Sequence, residues 1–491
     1  MAGSAPVTNN VDSPAKAAPS GLDRFFKITE RGSTVGQELR GGLVTFLTMA
    51  YILVLNPIIL SGKPDINGDE LSFAAVAAGT ALVAGVLTIL MGVVANFPMA
   101  LAAGLGLNAF VAFTLANQMT WADAMGLVVI EGLVILALVL TGFREAVFTA
   151  VPAALKVAIS VGIGLFITLI GLVDSGFVSK FGGTPLNLGF YGNLQGWPVF
   201  VFCFGLVLMI ALFVRQVRGA LLISIAVTTL VAIVVQKFAN LGNHVIDEKS
   251  GALVTPGWSL NIPELPSDVV RMPDFGLLGE FNLLGSWENL GVVTVFLLIF
   301  TLLLTDFFDT MGTMTAVGAE AGLNDADGVP PNTRRILVID SVAAVAGGAG
   351  SVSSNTSFIE STSGVAEGAR TGLSAVVTGV LFLLAIFLAP IVEIVPSEAA
   401  VPALVVVGFL MMQQVKQIDW DDMEIAVPAF LTIVLMPFTY SISAGIGAGF
   451  LAYVLIKVVR GKVREVHALM WVIAALFIIY FAISPITAWI N

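Results

Sequence analysis

The sequence predicts an all-α polytopic membrane protein built from two inverted halves. Three observations carry that prediction: charge is scarce, what charge there is clumps into short loops, and two Gly- or Ser-rich segments interrupt apolar spans at corresponding places in the halves. Of 491 residues, 57% are hydrophobic and only 11% are charged, against roughly 25% charged in a soluble domain. Leu71 to Ala122, Phe181 to Val214, Ile425 to Ile456 and Ala468 to Asn491 contain no Asp, Glu, Lys, Arg or His. Apolar runs of about 18 residues or more read as membrane-spanning helices. Strands of a barrel would alternate apolar and polar instead, so these runs exclude one. The single cysteine, Cys203, lies in an apolar run, which excludes a disulfide framework and a thiolate metal site. No metal and no cofactor are expected. The net charge of −11 sits mainly in loops and marks no nucleic-acid partner; the expected surroundings are a lipid bilayer.

Taken in order, Met1 to about Gly21 is Ala/Pro/Ser-rich and reads as disordered. Leu22, Phe25, Phe26 and Ile28, interleaved with Arg24 and Lys27, predict a short helix lying on the inner membrane surface. Spans follow near 41–60, 72–95, 98–116, 124–142, 152–173, 197–214 and 219–237. After a polar stretch from 238 to about 288, further spans fall near 290–312, 336–350, 353–369, 371–392, 399–414, 425–441, 443–459 and 468–489. Short loops carry Arg40, Arg144, Arg215, Arg218, Arg334, Arg335, Arg460, Lys462 and Arg464. The positive-inside rule makes all of them cytoplasmic, with the N-terminus inside and 238–288 outside. Fourteen spans satisfy this alternation; a span at 468–489 leaves the C-terminus outside.

Two internal likenesses predict duplication. Ala103-Gly104-Leu105-Gly106-Leu107-Asn108 resembles Ala349-Gly350-Ser351-Val352-Ser353-Ser354-Asn355, and Val151-Pro152-Ala153 returns as Val401-Pro402-Ala403. Both pairs are offset by about half the chain. Seven spans per half is odd, so the second copy enters the membrane from the other side. Inverted repeats of this kind are a mark of secondary transporters, whose sites lie at the midplane between discontinuous helices. The segments 98–116 and 353–369 are the interrupted ones. Irregular backbone at membrane depth is tolerated where it is buried in protein or lines a cavity.

The ionisable residues narrow the candidates. Thr305-Asp306-Phe307-Phe308-Asp309-Thr310-Met311-Gly312 closes an otherwise uncharged span. A charge at the centre of a membrane helix costs about 2.5–3.5 kcal/mol, while each Leu, Ile, Phe or Val returns roughly 0.3–0.6. Asp306 and Asp309 are three residues apart and share a face, which must therefore meet protein, water or substrate. Two neighbouring carboxylates resist being charged together, which suits one of them to carry a proton; capping of a turn at Thr310–Gly312 is the simpler role open to Asp309. Glu360, central in the second broken span, is the strongest single candidate, and Asn108 is its weaker counterpart in the first. Glu131 and Asp340 read as structural charges paired with Arg or backbone, and Glu367 reads as the partner of Arg370. His244 and His467 fall in a loop and at a span edge, so proton coupling falls to carboxylates.

With these residues in view the chain resembles the nucleobase–cation symporter family, in its AzgA-like branch of adenine–guanine–hypoxanthine permeases. The resemblance covers about Thr34 to Lys462 and rests on Thr45-Phe-Leu-Thr-Met-Ala-Tyr51, Gly104-Leu-Gly-Leu-Asn-Ala-Phe110, Thr305-Asp-Phe-Phe-Asp-Thr-Met-Gly312 and Asn355-Thr-Ser-Phe-Ile-Glu-Ser-Thr-Ser-Gly-Val-Ala-Glu-Gly368. It implies about fourteen helices in two inverted seven-helix repeats, with short strands in spans 3 and 10 framing the substrate. It also implies a core domain (34–145 and 289–393) and a gate domain (146–240 and 394–491), flanked by an N-terminal segment (1–33) and an outer loop (241–288). Carried onto this chain, the acidic binding residues are Asp306 and Glu360, with Asn108, Phe110, Ile359 and Asp309 as supporting positions. The apolar segment 468–489 exceeds the family pattern.

The expectation is a purine-base importer of an inner or plasma membrane, coupled to protons through Asp306, Asp309 or Glu360. A purine is flat, with N–H donors on its edge, and needs a polar clamp and an apolar face; Phe110, Phe307 and Phe358 are stacking candidates, or packing residues. Rivals are an anion carrier or a uracil/xanthine carrier of the same fold. The anion carrier would need a positive residue where the broken spans cross, and the sequence offers none there. An intramembrane aspartyl protease would need its two aspartates on different helices, and here they share one. Whether the chain forms a homodimer is left open.

Overall fold

A computed structural model describes residues 21–141, 151–181, 184–190, 192–246, 253–266, 268–326 and 329–490, and of 483–490 and a few strand-end residues the backbone only. Met1 to Ser20 and Arg144, named in the sequence reading, lie outside the described residues. In the first half, helices α1 (Gly21–Phe26), α2 (Val35–Met49), α3 (Ile52–Leu60) and α4 (Phe73–Leu90) precede strand β1 (Leu101–Ala103), followed by α5 (Leu105–Phe110) and α6 (Trp121–Thr141). Then come α7 (Ala153–Asp174), a β2 (Val178–Phe181) and β3 (Thr184–Leu188) hairpin, α8 (Trp197–Val214), α9 (Ala220–Ala239), β4 (Val245–Ile246) and β5 (Leu253–Thr255). The second half comprises α10 (Gly285–Leu290), α11 (Val292–Glu320), α12 (Thr333–Ala349), β6 (Asn355–Ser357), α13 (Ser361–Ala366), α14 (Gly372–Ala385), α15 (Ala389–Glu393), α16 (Ser397–Ala400), α17 (Pro402–Met412), α18 (Met423–Thr439), α19 (Ile442–Val459) and α20 (Ala468–Ile490).

Among the described residues, ten helical segments are long and apolar enough to cross a membrane. The other predicted spans are broken, short or charged helices, and the fifteen fall close to their expected limits, apart from the first, which starts at Val35, and the eighth, which ends at Glu320. Side chains set several starts: Thr34 accepts from Gln37 N, Ser72 from Ala75 N and Ser441 from Ala444 N. Such caps satisfy amide groups that have no partner inside the helix.

One difference matters. The span expected to end at Gly312 runs on to Glu320, and Met311 to Glu320 contains no helix-stopping proline. Asp309 is therefore mid-helix and caps nothing. The helix expected to lie flat on the membrane surface packs only partly on the protein: Phe26 and Ile28 are buried against Leu373, while Leu22 and Phe25 stay exposed.

The helices sort into two packing groups. One joins α2, α3, α4, α6, α11, α12 and α14; the other joins α7, α8, α9, α17, α18 and α19. Small residues allow the closest approaches, as membrane helices require. At Gly92 and Gly372 a β-carbon on either would collide with the other's backbone carbonyl. The polar stretch after α9 is a packed cap: Trp258 is buried on Val201 and Ala232, and its indole N–H donates to Gln236 at 2.8 Å. The supernumerary helix α20 packs on α19 and α11, with Phe477 against Gly447 and Phe450.

Candidate functional site

The two interrupted spans meet. β1 and β6 pair antiparallel, Leu101 with Ser357, Ala102 with Thr356 and Ala103 with Asn355. Each strand leads into a short helix, α5 or α13. A strand inside a helical bundle leaves backbone groups that lipid cannot satisfy, and here other parts of the chain satisfy them. Thr88 of α4 donates to Leu101 O at 3.0 Å and accepts from Leu101 N at 2.9 Å. Ser361 accepts from Ala100 N at 3.0 Å, and Gly104 N reaches Ser354 O at 3.0 Å.

Glu360 stands at the break, at the N-terminal boundary of α13. The Tyr51 hydroxyl, at the junction of α2 and α3, donates to its Oε1. Asp309 of α11 faces this pair. Asp309 and Ile359 (44%) are exposed although both lie deep in the bundle, and Glu360 is half-exposed. Gly312, Ala316 and Glu320 continue the exposed stripe along α11. This exposed stripe opens a cleft that runs from Asp309 towards the end of the molecule that carries Arg40, Arg218, Arg334 and Arg335.

Behind the strands lies a buried acidic layer. Asp306 is fully buried against Glu131 of α6 and Thr356 of β6, whose side chains face its carboxyl group. Glu131 Oε2 accepts from Ser354 at 3.3 Å. Asp340 accepts from Thr310 at 2.8 Å, and Thr310 also meets Thr356 at 2.8 Å and Ser357 at 3.0 Å. Among the described residues no ion pair involves Glu131, Asp306, Asp309, Asp340 or Glu360. Arginine or backbone partners were expected for Glu131 and Asp340. Hydroxyls and other acids take their place, so both residues belong to the candidate site.

The remaining expected positions divide by access. Asn108 is fully buried on α5, and neither atom of its amide has a partner. Phe110, Phe307 and Phe358 are buried at 1%, 4% and 6% exposure, which leaves little ring surface for a ligand. Their neighbour Phe308 is half-exposed, with Lys156 of α7 lying 4.9 Å from its ring centre. Tyr51, Phe308, Thr310 and Thr356 went unassigned in the sequence. Tyr51 gave a signal as the one tyrosine of its apolar span.

The seam between the helix groups differs at its ends. Away from the arginines, Tyr440 meets Phe113 and Phe166 edge to face, at 5.7 and 5.2 Å. Lys63 lies 5.0 Å above Phe113 and pairs with Asp174 at 3.0 Å. At the arginine-bearing end, Glu367 pairs with Arg40 and Arg218. It does not pair with Arg370 as expected, because that guanidinium is taken up by the carbonyls of Val365 and Ala369.

A helical bundle with paired, broken spans at its centre and an acid-lined cleft has the form of a membrane carrier. Comparison with known proteins agrees. A family model described as Permease family (Xan_ur_permease) matches residues 36–448. The guanine/hypoxanthine permease PbuG of Bacillus subtilis (strain 168) is 40% identical over 94% of this chain and 99% of its own. The adenine permease AdeQ of Escherichia coli (strain K12) is 38% identical over 93% of this chain and 95% of its own. The chain belongs to this permease family, and it is a transporter, not an enzyme. The transmembrane domain of the cyanobacterial bicarbonate transporter BicA aligns with a TM-score of 0.57 at 15% identity, covering 84% of this chain and 97% of that one, a likeness of fold.

Proposed function

We propose that the protein imports purine bases (hypoxanthine, guanine and adenine) together with protons, the base binding at Glu360 and Asp309 beside the β1–β6 pair. The observation that carries this is the accessible carboxyl of Glu360 at the broken span, held by Tyr51 and faced by Asp309. An ionised Glu360 accepts two parallel hydrogen bonds from guanine N1–H and its exocyclic amine. Hypoxanthine offers N1–H alone. Adenine has an acceptor at N1 and requires the protonated carboxyl. The exposed ring of Phe308 and the side chain of Ile359 supply apolar surface. Phe110, Phe307, Phe358 and Asn108 shape the wall behind.

The acidic layer supplies coupling. Two unit charges about 4 Å apart repel by about 4 kcal/mol at an effective dielectric of about 20. Asp306 and Glu131, in contact and without a cation, therefore hold a proton between them. Asp309, reached by water, exchanges it with the cleft. The helix groups act as core and gate domains. The arginine-bearing end and the N-terminus are cytoplasmic by the positive-inside rule, so this conformation opens inward, with Tyr440, Phe113 and Phe166 closing the outside. Lys156 approaches from across the seam and not at the strand crossing, and the surrounding carboxyls outnumber it, which favours a neutral base over an anion.

Uptake of radiolabelled hypoxanthine in a host lacking purine transport, challenged by adenine, guanine, xanthine and uracil, tests the substrate. Competition by purines and not by uracil is expected; absence of uptake, or uracil competing best, contradicts it.

A further inference from the structure

Outside the closed end of the seam lies a second cavity, of about 280 Å³. Both helix groups build it: Ser61 and Lys63 follow α3, Asp174 ends α7, Glu398 lies in α16, and Ser259 comes from the capping segment. Its rim, at Gln195 and Pro256, is exposed. Glu398 is 1% exposed; its Oε1 accepts from the amide and hydroxyl of Ser259 at 2.9 and 2.7 Å, but its Oε2 has no partner. Ser61, across the seam, is 3% exposed and its hydroxyl is likewise unpartnered. Lys63, the lysine in the wall, is held by Asp174, and His244 also lines the cavity.

A buried carboxylate oxygen without a donor is costly unless something supplies one. Of the two basic side chains in the cavity wall, Lys63 is already engaged and burial holds His244 below the usual histidine range and so uncharged, which leaves a neutral donor as the missing partner. Phe190, Val199 and Leu260 give the cavity an apolar side. Its volume lies just under the roughly 300–1,000 Å³ of drug-sized pockets and suits a bare bicyclic base.

We propose that this cavity is an outer reception site for a flat, neutral base bearing N–H donors, bound between the free oxygen of Glu398 and the hydroxyl of Ser61 while the seam below is shut. The proposal rests on the purine reading above for its ligand. It places a second, separate binding event on the outer side of the membrane, beyond the Tyr440 closure and independent of Glu360.

Accessibility of a rim cysteine tests it. In the full-length Cys203→Ser protein carrying Gln195→Cys, a membrane-impermeant thiol reagent is applied from outside, with and without hypoxanthine, in both the wild-type and the Glu360→Gln background. Hypoxanthine is expected to slow labelling at least fivefold in both, and Glu398→Gln or Ser61→Ala to raise the protecting concentration at least tenfold. Labelling unaffected by millimolar hypoxanthine in both backgrounds overturns the proposal and leaves a water-filled cavity. Uptake by the wild-type protein, measured alongside, reports on the purine reading separately: protection without uptake supports the site and sinks that reading, and uptake without protection does the reverse.

Discussion

The two broken spans use one backbone device and carry different chemistry. Each lays a three-residue strand beside the other and then turns into a six-residue helix. The first is Leu101-Ala-Ala followed by a helix whose polar side chain, Asn108, is fully buried without a partner. The second is Asn355-Thr-Ser followed by Glu360, with Ser354, Thr356 and Ser357 engaged by Glu131 and Thr310. Their backbones must satisfy one another, which holds both copies to the same geometry. Nothing in that pairing constrains the side chains, so one copy became wall and the other the polar surface.

If that division holds, substitutions in the second span hurt transport far more than matching ones in the first. The largest effect belongs to Glu360→Gln. Hydrogen bonds to a charged group contribute about 1.5–3 kcal/mol each, and 1.4 kcal/mol is tenfold. Uptake kinetics should show kcat/KM for guanine falling at least about 100-fold; near-wild-type values would take Glu360 out of the site. Glu131→Gln comes next, because it removes one half of the carboxyl pair. Concentrative uptake should fall to simple equilibration while exchange of internal for external base persists; intact accumulation would free Glu131 from coupling. Tyr51→Phe deletes one donor to Glu360 and should lower kcat/KM about 10-fold, in line with about 1.5 kcal/mol, the lower end for one hydrogen bond to a charged group. Asn108→Ala, in the first span, should change KM less than about threefold and leave thermal stability intact, since no hydrogen bond is lost. A larger loss than for Tyr51→Phe would erase the contrast between the spans.

Much of this architecture was legible in the chain. Charge-free runs placed the spans, and glycine and serine interruptions marked 98–116 and 353–369 as the broken ones. The scarcity of charge singled out Asp306, Asp309 and Glu360, which the fold gathers around β6. What escaped depends on through-space neighbours. Glu131 and Asp340 looked like lone structural charges because the residues they meet, Asp306 with Ser354 and Thr310, lie far along the chain. Phe308 could not be told from Phe307, since one residue of helix rotation decides which ring faces the cleft. The outer cavity was invisible for the same reason: Ser61, Ser259 and Glu398 come together only once the capping segment folds back.

In the proposed mechanism, buried carboxylates couple purine movement to protons. This coupling is tested most directly in proteoliposomes holding the purified protein, by following radiolabelled hypoxanthine under an imposed pH gradient, alkaline inside. Proton coupling predicts accumulation above the external concentration, abolished by a protonophore and absent in Glu131→Gln. An internal concentration that stops at the external one, with or without the gradient, would contradict it.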